Sequence, residues 1–233
     1  ATWPEEVREL AATFLKPETV RVVIGGEELS ANHRVTQTVE VIDEYARDKR
    51  VVELLKKYHN GNNKILIFIL YKKEAVTVLR MLEQRGFKVG SIHGDKAQAE
   101  RTAALENFKT GEVPLLLATD VAARGLDIPQ VEYVINYSFP LTVEDYVHRI
   151  GRTGRGGRSG VSHTFFTDRD KTLAAQLVDV LKKSNQNVPQ EIFKYPMVTK
   201  RKKDKTYGDF GPKADLVGMK ATRMTFGDSD DED

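Results

Sequence analysis

The sequence predicts an α/β fold built on a doubly wound parallel sheet, and two observations predict it. Short apolar runs alternate with helix-period segments from Val35 to Ser184, the pattern of strands joined by crossover helices. One run, Ile65-Leu66-Ile67-Phe68-Ile69-Leu70, has no polar face, as befits a strand covered by helices on both sides.

The elements follow in order. Glu5 to Leu15 carries Val7, Leu10, Ala11, Phe14 and Leu15 at helical spacing, with Pro4 suited to the first turn and Pro17 closing the segment. Val20 to Ile24 is β-prone and stops at Gly25-Gly26; residues 25–34 are polar and read as a linker. Val35 to Ile42 alternates with threonine and reads as a strand, Asp43 to Tyr58 as a helix, Lys64 to Leu70 as a buried strand, and Lys73 to Arg85 as a helix ended by Gly86. Lys88 to Ile92 is a strand, Ala97 to Phe108 a helix and Pro114 to Ala118 a strand. Val131 to Tyr137 and Val161 to Phe166 are the remaining strands, with helices over Val143 to Ile150 and Arg169 to Ser184. After Pro189 the apolar period ends. A basic cluster at Lys200 to Lys205 and an acidic end at Asp228 to Asp233 read as a disordered charged tail over 191–233. The chain thus divides into a leading segment 1–30, an α/β domain 31–190 and a tail.

Composition narrows the function classes. With no cysteine, disulfides and thiolate metal sites are excluded, and the isolated histidines His33, His59 and His163 suggest no metal site. No apolar run approaches the roughly 20 residues of a membrane helix, no signal-peptide pattern opens the chain, and the missing initiator Met suggests a piece of a longer protein. The formal charge of +2 hides a local excess of arginine, which is the informative feature.

In open parallel sheets ligands bind in the loops beyond the carboxyl ends of the strands. The segment His148-Arg149-Ile150-Gly151-Arg152-Thr153-Gly154-Arg155-Gly156-Gly157-Arg158 places four arginines at spacing three with no Asp or Glu. Guanidiniums crowded in this way call for an external polyanion, and their planar fork suits phosphate oxygens; the plain alternative is a solvated basic loop. Ala118 to Pro129 follows a buried strand and holds Thr119, Asp120, Arg124, Gly125 and Asp127. An acid there can accept from ribose hydroxyls, or an Asp120–Arg124 pair can merely staple the loop. In His93-Gly94-Asp95-Lys96-Ala97-Gln98-Ala99-Glu100-Arg101, Asp95 is a candidate helix cap with Gln98 as reciprocal partner. Gly94 would let another backbone approach, and a phosphate would sit well at that helix N-terminus. Tyr71 and Phe139 follow strands and could stack on bases, with core packing at least as good a reading.

These residues carry a resemblance. His148 to Arg155 is similar to motif VI of the DEAD-box RNA helicases, Ala118 to Pro129 resembles motif V, Gln98 to Arg101 the Q-x-x-R motif, and Ile67-Phe68-Ile69 motif IV. Tyr71 stands where motif IV usually has Ser or Thr. Ala1-Thr2 resembles the end of the Ser-Ala-Thr motif, and Trp3-Pro4 is typical of the p-sixty-eight-like branch. The resemblance implies a RecA-like helicase C-terminal domain within the P-loop NTPase-like class, preceded over 1–30 by a remnant of the first helicase domain and the linker. It implies Arg152 and Arg155 as catalytic arginine fingers for ATP, with Asp127 and Arg124 as further ATP contacts. It implies Gly94, Gln98, Arg101, Thr119 and Asp120 along the RNA backbone, and His148 and Arg149 at the interface with the first domain. ATP with Mg2+ would be held mainly by that first domain, since the chain contains no Gly-x-x-x-x-Gly-Lys-Ser/Thr and no Asp-Glu-Ala-Asp. RNA and the first domain are the implied partners, with no membrane and a monomeric fragment that is not an ATPase alone. A non-catalytic RNA platform and a DNA helicase are the competing readings. The charged tail points to a nuclear or nucleolar protein in ribosome biogenesis, with a cytoplasmic one as the alternative.

Overall fold

The computed structural model describes residues 5–16, 18–20, 22, 31–123 and 131–197. The helix α1 spans Glu5–Phe14. The domain proper begins with β1 (Val35–Val41), a single 3-10 turn and α2 (Arg47–Tyr58), followed by β2 (Ile65–Phe68), α3 (Lys72–Gln84) and β3 (Val89–Ile92). Next come α4 (Gln98–Thr110), β4 (Leu115–Ala118), the one-turn α5 (Asp120–Ala123), β5 (Tyr133–Asn136), α6 (Val143–Ile150), β6 (Gly160–Phe166) and α7 (Ala174–Lys183). The six strands pair in parallel in the order β1-β6-β5-β2-β4-β3, so all their carboxyl ends share one rim.

The unbroken apolar strands follow from burial on both faces. Ile65, Ile67, Leu115, Leu117 and Ile135 pack with Val51, Leu55, Val78 and Leu82 of α2 and α3. Their neighbours Leu66, Phe68, Leu116, Ala118 and Val134 point the other way, toward Leu105 and Phe108 of α4 and Ala122 of α5. On that second face α6 and α7 cover β1 and β6 through Tyr146, Ile150, Leu177 and Leu181. Side chains alternate across a strand, so four apolar residues in a row supply two cores at once.

Three expectations are corrected. Arg169 to Ser184 is not one helix: Asp170 Oδ2 accepts from both Thr167 N and Oγ1 at 2.8 Å, and this holds Asp168–Leu173 as 3-10 turns before α7. The ordered chain also runs past residue 190. A 3-10 turn over Gln190–Lys194 buries Ile192 completely, and Tyr195 packs on Phe166 while its hydroxyl donates to Asp168 Oδ1 at 2.5 Å. Of the expected strand Val20 to Ile24, Val20 and Val22 are not in a strand, and the other residues lie outside those described. Among the described residues no helix is long and apolar enough to cross a membrane.

Candidate functional site

The loops after β2, β3, β4 and β5 meet at the carboxyl rim, and α6 delivers the arginine-rich segment to it. Thr142 caps α6, its Oγ1 accepting from Asp145 N at 3.0 Å. The buried stripe of α6 comprises Val143, Tyr146, Arg149 and Ile150, so helical spacing sends Arg149 inward along with the apolar residues.

Arg149 is only 2 % exposed and is the hub of the rim. Its Nε and Nη2 meet Asp120 Oδ1 and Oδ2 at 2.7 and 2.5 Å. Nη1 donates to Ser138 O at 2.7 Å and more weakly to Asn136 Oδ1 at 3.4 Å, and the guanidinium lies 5.0 Å from the Phe68 ring centre. One side chain therefore ties the ends of β2, β4 and β5 to α6. Within the fold Arg149 and Asp120 neutralise each other, and Asp120 keeps 18 % of its side chain exposed. Asp120 is stapled by Arg149, while the expected Asp120–Arg124 pair rests on a residue outside those described. Arg124 and Asp127 lie outside the described residues.

The later arginines differ. Arg152 is half-buried, while Arg155 and Arg158 are exposed. Arg155 Nε donates to Gly151 O at 2.6 Å, and among the described residues no carboxylate pairs with any of the three. Burial pushes the Arg152 guanidinium below its ordinary pKa, and neighbouring Arg155 adds to the effect. A half-buried cation beside a second cation favours an anion that brings its own negative charge. Arg152 lines a cleft with Phe68, Asp120, Ala123, Asp145 and exposed His148.

The turn carrying these arginines is shaped from below. Fully buried Thr153 donates its hydroxyl to Val131 O at 2.7 Å, and Asn32 Nδ2 donates to Gly154 O at 2.9 Å. Gly154 sits at φ +69°, where a Cβ would come 2.7 Å from Val35 Cγ2, and a Cβ at Gly160 would collide with the Thr153 side chain. The glycines at 154 and 160 are thus packing requirements of the arginine-bearing turn and of the strand that follows it.

On the neighbouring loops, Gly94 and Gln98 are exposed, and a Cβ at Gly94 would meet nothing within 4 Å. Arg101 Nη1 donates to Gln98 Oε1 at 3.1 Å and Nη2 to Ala122 O at 3.3 Å, joining α4 to α5 beside Asp120. Thr119 is 6 % exposed, and its N donates to Ile92 O at 3.2 Å. Asp95 is not the cap of α4. The helix starts at Gln98, Glu100 Oε2 accepts from Ala97 N at 2.9 Å, and Asp95 instead accepts from Lys72 Nζ at 2.7 Å. Tyr71 is exposed, whereas Phe139 is buried against Tyr146 and Phe166. Sequence reasoning missed Ser138 and Asn136. For Asn136 a signal existed, as an amide closing the apolar run Val134-Ile135; Ser138 carries none.

The chain is similar to known proteins over most of its length. The family described as the Helicase conserved C-terminal domain matches residues 46–157. DEAD-box ATP-dependent RNA helicase 5 of Arabidopsis thaliana is 56% identical over 234 residues, covering 100% of the chain and 44% of that protein. The structure of S. cerevisiae Dbp5 bound to RNA and ADP BeF3 aligns over 80% of the chain and 48% of its own, at TM-score 0.67 and 28% identity. The C-terminal domain of the DEAD-box protein Dbp5 aligns over 66% of the chain and 84% of its own, at TM-score 0.55 and 31% identity. The chain spans under half the length of its full-length relatives.

Proposed function

The chain belongs to the family of DEAD-box ATP-dependent RNA helicases, and from that premise we propose that it is the second RecA-like half of an RNA-dependent ATPase that remodels RNA duplexes or RNA–protein complexes. The observation that carries the reading is the contrast within one basic segment. Arg149 is neutralised inside the fold by Asp120, while Arg152 and Arg155 have no carboxylate partner among the described residues.

In this reading Arg152 and Arg155 are the arginine fingers, turned toward a triphosphate held on the first helicase domain. Arg124 and Asp127 add contacts to the same nucleotide. The residues present fit ATP from one side only, since the chain has no phosphate loop and no Asp-Glu-Ala-Asp to hold phosphates and Mg2+. When bound, the nucleotide and its metal supply the phosphoryl group and its partial charge neutralisation. This chain's part is to add positive charge where negative charge develops and to exclude water. Gly94, Gln98, Arg101 and Thr119 form its half of an RNA path that contacts phosphate and ribose and so ignores sequence. Asp120 and Arg149 act in this path as its internal brace, and His148 faces the first domain. Alone, the chain is monomeric and has no ATPase activity. The basic cluster at Lys200 to Lys205 supports nuclear or nucleolar residence and a place in ribosome biogenesis.

The test is reconstitution. Joined to its own first domain, the protein hydrolyses ATP in an RNA-stimulated manner, and Arg155→Ala removes on the order of 10³-fold in rate. A wild-type rate in Arg155→Ala would remove that side chain from the chemistry. Equal stimulation by DNA would replace RNA as the polymer bound.

A further inference from the structure

We propose that Glu74, held by Arg47, is a positioning residue for the arginine turn, acting through Ser138 from the opposite face of the sheet. The proposal rests on the reading of Arg152 and Arg155 as the groups that meet the triphosphate.

Ser138 stands where β5 leaves the sheet, and two arginines grip that exit from two sides. From the α6 side, Arg149 Nη1 donates to Ser138 O at 2.7 Å. From the α2 and α3 side, Ser138 Oγ donates to Glu74 Oε2 at 2.6 Å. The other oxygen of Glu74 meets Arg47 Nη2 at 3.0 Å. Arg47 Nη1 donates to Tyr137 O at 3.3 Å, and its guanidinium lies 4.7 Å from the Tyr137 ring centre. The Tyr137 hydroxyl closes the set by donating to Asp48 Oδ1 at 2.5 Å. Ser138 is 6 % exposed, Tyr137 4 % and Arg149 2 %, so the bonds at Ser138 are largely shielded from water, whereas Asp48 is exposed.

A carboxylate that only stapled α2 to α3 would need Arg47 and nothing more. Glu74 instead uses its second oxygen to orient the residue whose carbonyl receives Arg149. Arg149 lies in the last turn of α6, which ends at Ile150, and Arg152 follows two residues later on the turn, so a displaced Ser138 carbonyl shifts the C-terminal turn of α6 and the two cations beyond it. Angular error at the end of a helix is costly for catalysis: about 1 Å of misplacement lowers a rate by about 10²-fold. Glu74 touches neither nucleotide nor RNA in this reading, and its effect is geometric.

The experiment uses the full-length protein with its first helicase domain, assayed for RNA-stimulated ATP hydrolysis. Glu74→Ala and Ser138→Ala are each expected to lower kcat by roughly tenfold or more, with KM for ATP changed by less than about threefold. Glu74→Gln keeps an oxygen to accept from Ser138 Oγ, and it restores kcat to within about threefold. In an Arg155→Lys background the Glu74→Ala loss shrinks to under about twofold, because groups acting as one unit are not additive. Ser138→Ala removes a single hydroxyl and leaves the Arg47–Glu74 pair in place, so it serves if Glu74→Ala proves unstable. Unchanged kcat in both alanine variants overturns the proposal, as does a loss that adds in full to Arg155→Lys. If Arg155→Ala itself retains the wild-type rate, the arginine-finger reading fails. If Arg155→Ala is inactive while the Glu74 and Ser138 variants are normal, only the positioning role fails.

Discussion

Arg149 and Asp120 lie 29 residues apart in sequence, yet they form a two-point pair at 2.7 and 2.5 Å with the arginine side chain buried to 2 % exposure. Removing one member of such a pair leaves the other charge uncompensated. Arg149→Met is therefore expected to cost about 3–5 kcal/mol of stability. Arg149→Lys keeps the charge but loses the fork, and it should still be clearly destabilised. Urea denaturation of the chain measures both, and a wild-type midpoint for Arg149→Met would show that the pair contributes nothing.

Arg155 presents the opposite case. It is exposed and has no carboxylate partner among the described residues, so Arg155→Ala should change stability by no more than about 0.5 kcal/mol. Measured beside the loss of ATPase rate, an unchanged melting temperature separates a chemical role from a folding one.

Two glycines give a further contrast. Gly154→Ala places a Cβ 2.7 Å from Val35 Cγ2 at a φ of +69°, and the combined strain and overpacking should cost about 1–3 kcal/mol. Gly94→Ala meets nothing within 4 Å, so its melting temperature should match wild type. In the reconstituted enzyme the same change should weaken RNA stimulation, because the space it fills is the one assigned to a ribose–phosphate backbone.

The C-terminal boundary is tested by Ile192→Ala. Ile192 has no exposure and packs in the cluster of Tyr146, Phe166 and Leu177, so truncation should cost about 2–5 kcal/mol. If residues 190–195 were only a tail, the denaturation midpoint would not move.

How far the sequence reveals this molecule depends on the range of the interaction. Strands were legible because a strand buried on both faces must be apolar throughout, and Ile65 to Phe68 and Leu115 to Ala118 state that locally. The break before α7 was hidden because Asp170 folds back on Thr167 within a segment whose apolar spacing suits a helix. Ile192 and Tyr195 were missed because two buried residues make no period. The arginine segment looks uniformly cationic in sequence because the acid that neutralises Arg149 comes from the end of another strand. Local sequence shows the charges; only the fold shows which of them are taken.

Acid sensitivity should come in part from His163, with His93, also lowered by burial, acting in the same direction. Burial lowers the pKa of His163 below the usual 6.5, only partly offset by Glu40, whose Oε2 lies 2.9 Å from Nε2. The native state therefore favours the neutral ring. Its stability is fully present above pH 6.5 and declines as pH falls toward the lowered value, because the unfolded chain binds the proton more readily. Melting temperatures taken from pH 7.5 to pH 5.5 should fall, and His163→Gln should flatten that slope. A slope identical in the variant would assign it to other groups.

The turn that bears Arg152 and Arg155 is locked by Asn32 and Val35, more than a hundred positions upstream, at the seam where β6 joins β1. During synthesis the upstream half of this lock emerges early and must wait for nearly the whole domain to follow. Until the last strand is inserted, a growing chain has its arginines but no surface that aims them. A chain short of β6 therefore lacks the seam that shapes this turn.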